Sequence, residues 1–167
     1  MVLGVDRTGP PPRSHDLEPM AEHRFSAEIV IRRPPEVVFD WVADYRHVAQ
    51  VLEGIKHWEP LQQETRGPGT RFEVSMTALG FPLENVLVLD RWEEPRSIGW
   101  RSESGLLQQT GRWEFRPRDD GTAVSLSIGY VPPLGMVGEL VAGEVDALVR
   151  GRLRQALEAM KRILEAG

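Results

Sequence analysis

The sequence predicts an α+β fold: a curved seven-stranded antiparallel sheet wrapped around one long C-terminal helix, with two short helices between strands 1 and 2. Three observations carry that expectation. From Gly135 to Ala166 the period is helical, with Val141, Val145, Leu148, Val149, Arg152, Leu153, Ala156, Met160 and Ile163 on one broad side. Glu139, Arg150, Arg154, Glu158 and Lys161 fall on the other, so the helix needs an apolar surface to lie on. Between Phe25 and Val131 short segments alternate with period two and are divided by turn chemistry, which supplies that surface. The rigid pair Pro34-Pro35, followed by Glu36, breaks the alternation once and opens a helix.

Taken in order, residues 1–22 carry Gly9-Pro-Pro-Pro-Arg and Pro19 without a sustained apolar period. They are expected to be a disordered Pro-rich leader to a single domain spanning residues 23–167, and Met20 is a candidate start of its own. Phe25, Ala27, Ile29 and Ile31 alternate with Ser26, Glu28 and Arg32 as a half-buried strand. A first helix carries Val38, Phe39, Trp41 and Val42 to Asp44, and a second runs from Arg46 to Leu52 and stops at Gly54. Strands follow near residues 55–63, 70–79, 81–92, 97–103, 107–116 and 122–131. Gly67-Pro68-Gly69, Gly80, Glu94-Pro95, Ser104-Gly105 and Asp119-Asp120-Gly121 divide them, and connections this short imply antiparallel pairing. Pro132-Pro133 ends the last strand, because proline cannot donate to a ladder.

With 167 residues, 41% of them hydrophobic, the chain suits one domain with a sizeable core. A net charge of −5 argues against nucleic acid or an anionic membrane surface as the main partner, since both need a basic footprint. Arg150, Arg152 and Arg154 do not form one patch, because helical spacing turns Arg152 away from the other two. The absence of cysteine removes disulfides, thiolate metal sites and a cysteine nucleophile. No signal-peptide pattern opens the chain, and no apolar run approaches the roughly 18 residues that suggest a membrane span. A soluble cytoplasmic protein is the expectation.

Several stretches together resemble the START/Bet v 1-like superfamily and, within it, the SRPBCC proteins of the polyketide cyclase/dehydrase type. They are Ile31-Arg-Arg-Pro-Pro-Glu-Val-Val-Phe-Asp-Trp-Val-Ala-Asp44, Gly69-Thr-Arg-Phe72, Trp92-Glu-Glu-Pro-Arg-Ser-Ile-Gly-Trp-Arg-Ser102, and Gly111-Arg-Trp-Glu-Phe115 with Gly121-Thr122. The resemblance covers nearly everything from residue 23 to the end and implies a helix-grip fold. It also implies a cavity between sheet and long helix that holds an apolar or aromatic small molecule such as a lipid, a quinone or a polyketide. These motifs mark turns, strand faces and the first helix rather than a catalytic set, so the resemblance implies a pocket and not a reaction.

Inward parity nominates Phe72, Val74, Met76, Leu87, Trp100, Trp113, Val145 and Leu148 as apolar ligand-binding residues, the two tryptophans offering flat faces that also suit an ordinary core. Asn85 and Ser102 share inward parity and stand either as satisfied core polar groups or as ligand contacts. Arg152 lies near the middle of the apolar helix side, where a guanidinium must find a carboxylate, reach solvent along its stem or meet a ligand anion. Glu59 is a candidate partner if its strand faces inward.

His57 and Glu59 share a strand face, a spacing that suits an acid and base or two metal ligands. Ile55 and Leu61 place that face inward and Trp58 places it outward. Two residues fall short of a three-ligand set, and no metal or cofactor is expected. Gly67-x-Gly69 lacks a following helix and reads as a hairpin turn, and no Gly-x-Ser-x-Gly elbow is present. The leading function is binding of a hydrophobic or aromatic small molecule. A cyclase/dehydrase-like enzyme and a ligand-free interaction module are the alternatives.

Overall fold

The computed structural model describes residues 22–78, 80–131 and 139–167. The element order is β1 (His23–Ile31), α1 (Pro35–Ala43), α2 (Tyr45–Val51), β2 (Ile55–Pro60), β3 (Arg71–Ala78), β4 (Phe81–Glu93), β5 (Ser97–Gly105), β6 (Gln108–Arg118), β7 (Gly121–Val131) and α3 (Glu139–Ala166). The strands form one antiparallel sheet in the order β1-β7-β6-β5-β4-β3-β2. The fold is therefore the helix-grip α+β arrangement that the alternation and the long terminal helix imply. Residues 1–21 of the expected leader lie outside the described residues, as do Pro132 and Pro133.

Local chemistry explains the helical insert. Pro34 caps α1 in an extended conformation, Pro35 occupies the first turn and Glu36 faces the positive end of the helix dipole. Asp44 ends α1 and caps α2, accepting from the Arg46 backbone N–H at 3.1 Å and from Arg46 Nε at 2.9 Å. These bonds hold its carboxyl down at about 2, the Arg46 side chain being the largest cause.

The core lies between the concave sheet face and one stripe of α3. Phe39, Trp113, Phe115, Leu126, Leu153, Leu157 and Met160 belong to one buried cluster under the C-terminal half of that helix. Val141 of the predicted stripe lies outside the described side chains, and among the rest one correction is needed: Ile163 is 42% exposed, whereas Leu157 and Leu164 are buried. Spacings of three and four from Leu153 through Leu157, Met160 and Leu164 keep to the sheet side, and Ile163 rides on its edge.

The far end of α3 is bolted down by polar contacts. Arg33 Nε donates to Leu164 O at 2.7 Å, Glu165 Oε1 accepts from the Arg32 backbone N–H at 3.0 Å, and Lys161 Nζ donates to Val30 O at 2.6 Å. The near end, around Val145 to Arg152, meets the sheet across a gap.

Candidate functional site

That gap is a cavity of about 110 Å³, measured by where the centre of a water-sized sphere fits. Strands β2, β3 and β4 contribute Ile55, Trp58, Val74, Met76, Leu83 and Leu87 to its wall. Trp100 comes from β5, Ile128 and Tyr130 from β7, and Val145, Leu148, Val149, Arg152 and Leu153 from α3. A smaller space of about 50 Å³ lies beside it, lined by Phe72 and Trp113 among others. Leu52, Trp58, Leu87 and Trp100 belong to both walls, so two indoles and two leucines partition one hollow region.

Trp100 can lie across the sheet because its partner on β6 is Gly111: a Cβ there would land on the indole. Trp58 reaches the interior through an irregularity. The β2–β3 register shifts between Ile55 and His57, and an inserted residue lets Ile55 and Trp58 face the same side. The shift settles the ambiguity of this strand. Trp58 and Ile55 are inward, Leu61 is 45% exposed, and His57 and Glu59 lie on the outer face, with His57 Nε2 3.9 Å from Glu73 Oε1. Glu59 is thus no partner for Arg152.

Of the residues nominated by parity, Val74, Met76, Leu87, Trp100, Val145, Leu148 and Arg152 line the main cavity. Phe72 and Trp113 line the smaller space, together with Leu87 and Trp100. Asn85 and Ser102 line neither. Asn85 Nδ2 donates to Ser102 Oγ at 3.0 Å and to the Leu107 carbonyl, while its Oδ1 accepts from the Leu107 N–H at 3.3 Å. Ser102 Oγ donates to Leu107 O at 2.8 Å and accepts from the Gln109 N–H at 3.1 Å. The pair pins the β5–β6 turn and so presents Leu107 and Gln109 to the cavity.

Among the described residues Arg152 is the one cation in the wall, and Glu53 lines the same cavity. Its Nη2 donates to Thr77 O at 2.9 Å, and the guanidinium lies flat against Gly54, whose missing side chain gives it room: a Cβ there would sit 2.6 Å from Nη2. Gly54 also has φ +89°, a left-handed conformation that favours glycine. The Nε is buried without an acceptor among the described residues, and no carboxylate among them lies within 4.0 Å of the guanidinium. Burial pushes its pKa below the ordinary arginine value, and the charge of nearby Glu53 offsets part of that. The Trp58 indole N–H is a second buried donor without an acceptor among the described residues.

One polar cluster at the rim escaped sequence reasoning. Tyr130 OH donates to Asp146 Oδ1 at 2.6 Å, and His23 Nδ1 lies 2.9 Å from the same oxygen. Burial, then the bond to Asp146 and its negative charge, raise the Tyr130 pKa well above the ordinary phenol value. For Asp146 burial pushes upward, but the bonds from Tyr130 and His23 and the nearby positive charges outweigh it and hold the carboxyl below the ordinary range. Parity with Leu126 and Ile128 marks Tyr130 as inward. Nothing in sequence links His23 to Asp146, 123 residues away. No group of three or more potential metal ligands occurs among the described residues, and no described helix is long and apolar enough to cross a membrane.

Comparison with known proteins adds the wider frame. The family described as polyketide cyclase/dehydrase and lipid transport matches residues 22–165. A solved Thermus thermophilus protein is similar at 23% identity and TM-score 0.74, covering 86% of this chain and 98% of its own. A START superfamily protein from Mycobacterium smegmatis is similar at 17% identity and TM-score 0.68, covering 86% and 98%. The Zhui aromatase/cyclase from Streptomyces sp. R1128 is similar at 17% identity and TM-score 0.67, covering 85% and 95%. Identities this low show the fold alone, and among curated proteins none matches the chain.

Proposed function

The chain belongs to the polyketide cyclase/dehydrase and lipid transport family, and from that premise we propose that it binds a hydrophobic or aromatic small molecule between sheet and α3. The observation that carries the reading is the nearly all-apolar hollow of about 110 Å³ with Trp58 and Trp100 at its inner partition. Concave apolar space with a few polar groups is what small ligands occupy, and indole faces suit flat ones. Lipids, quinones and polyketide-like compounds are the classes in view. Val74, Met76, Leu87, Trp100, Val145, Leu148 and Arg152 would touch the ligand, with Phe72 and Trp113 behind the partition.

A cyclase/dehydrase-like reaction is the second reading, favoured by Tyr130 at the cavity wall with its hydroxyl on Asp146. General acid catalysis needs a proton that leaves readily near working pH. The Tyr130 proton is held more tightly than in a free phenol, and Arg152 does not give up its own. Binding without chemistry is therefore the better supported of the two. A ligand-free interaction module would need a filled core and a large exposed apolar patch, and the hollow speaks against it. Native mass spectrometry of the protein purified from its own host is the test. A retained small molecule, displaced by an apolar competitor, is the expected result; an empty protein that takes up no apolar probe would overturn the reading.

A further inference from the structure

We propose that the ligand is an acid: an apolar, flat molecule whose anionic oxygen is read by Arg152, with the Trp58 indole N–H serving a second acceptor on the same molecule. The inference rests on the binding reading above and names its chemical class. Two donors on different elements, Nε of Arg152 on α3 and Nε1 of Trp58 on β2, are buried without an acceptor among the described residues. Both residues line the same cavity. A buried donor left unpaired costs roughly 1–3 kcal/mol, so two in one wall call for an occupant that accepts.

Charge separates an acid from a neutral occupant. Arg152 keeps its proton even when burial weakens the hold, because a guanidinium starts from a pKa far above neutral. Among the described residues its one hydrogen bond goes to a neutral carbonyl, and Glu53, which lines the same cavity, offsets part of the charge without an ion pair within 4.0 Å. A water molecule would accept from Nε but add no negative charge to the partial compensation that Glu53 supplies from the same wall. A carboxylate, phenolate or enolate oxygen does both. Gly54 leaves room for the guanidinium and the Thr77 carbonyl holds its Nη2, so the donor waits in place rather than being recruited from solvent.

The test uses three probes of one shape: 2-naphthoate, 2-naphthylmethanol and naphthalene, titrated calorimetrically into the full chain. Wild type is expected to bind the acid at least tenfold more tightly than the alcohol. Arg152→Met should erase that preference while leaving the alcohol within about threefold, and Trp58→Phe should weaken the two oxygenated probes but not naphthalene. Arg152→Gln guards against a packing artefact, and thermal melts verify that each variant folds. Equal affinity for acid and alcohol in wild type, or a preference that survives Arg152→Met, overturns the proposal. Naphthalene distinguishes the two readings. If it binds and the acid is not preferred, the acid inference fails alone; if no probe binds, the binding reading fails and takes the inference with it.

Discussion

The two halves of α3 lie on the same sheet and do opposite jobs. From Leu153 onward Leu153, Leu157, Met160 and Leu164 are almost fully buried, and three polar contacts tie the end to β1 and the loop after it. Before Leu153 the inward residues among the described side chains are Val145, Leu148, Val149 and Arg152, only Val145 among them is buried, and the cavity lies in front. The filled half packs Leu153, Leu157 and Met160 into one cluster with Phe39, Trp113 and Phe115; the hollow half faces the cavity instead. One helix thus anchors the fold with one end and roofs a cavity with the other.

Removal of equal side chains from the two halves should show the largest contrast. Leu157 is 2% exposed in the filled cluster, and Leu157→Ala is expected to cost about 2–5 kcal/mol, the range for large-to-small changes in a packed core. Leu148 already borders empty space, so Leu148→Ala adds volume to a cavity and loses fewer contacts, costing about 1 kcal/mol or less. Urea unfolding of both variants measures it. Equal losses would mean that the hollow half is packed as tightly as the other.

Ligand binding should invert that order. Trp100→Ala removes a wall shared by both spaces and is expected to cost an aromatic probe about 2 kcal/mol, roughly thirtyfold. His57→Ala, on the outer face, should leave affinity within about threefold, below roughly 1 kcal/mol. Titration with a neutral solvatochromic naphthalene dye reads both. Loss of binding in the His57 variant with Trp100→Ala unaffected would reopen the enzyme reading.

How much of this was legible depends on the range of the signal. Alternation put Phe72, Val74, Met76, Leu87 and Trp100 on the inner face, and strand register bears that out, because period two needs only neighbours. Around His57 the same logic gave contradictory faces, since one inserted residue reverses parity and leaves no mark in composition. Arg152 stood out from its position in an apolar stripe, but its partners, Thr77 O and the Gly54 backbone, lie 75 or more residues away and carry no side-chain signature. Asn85 and Ser102 read as two isolated polar residues; only the fold brings the Leu107 turn between them.

The latch at the hollow end offers a test by pH. Asp146 joins α3 to Tyr130 of β7 and His23 of β1, and its pKa is lower when folded than in the unfolded chain. A depressed carboxyl contributes stability that is present above the unfolded value, near 3.9, and is lost as pH falls through the folded one. Asp44, at about 2, acts in the same direction between the two short helices. Asp146→Asn is expected to cost about 1 kcal/mol at neutral pH, the scale of a hydrogen bond at a partly exposed site. It should also flatten the fall in stability below pH 4 without abolishing it, since Asp44 still titrates. An unchanged acid profile in denaturant melts at pH 5, 4 and 3 would show that the latch is not a stabilising contact.

The smallest effect concerns the helix backbone itself. Gly143 and Gly151 both lie in the hollow half of α3, and the half from Leu153 to Ala166 has no glycine. Among the described residues a Cβ built at either would meet nothing within 4 Å, so close packing against them does not call for glycine. Glycine in a helix interior costs roughly 0.8–1 kcal/mol relative to alanine, so each Gly→Ala change is expected to raise stability by up to about that amount. The roof of the cavity is then a helix left soft at two points where alanine would fit. If that softness admits the ligand, the double variant should melt higher yet take up the neutral dye more slowly, with its equilibrium affinity little changed. Stopped-flow uptake beside thermal melts separates the two quantities. Unchanged uptake would confine the glycines to a stability role, and a loss of stability would mean that the space beside them is filled by a neighbour.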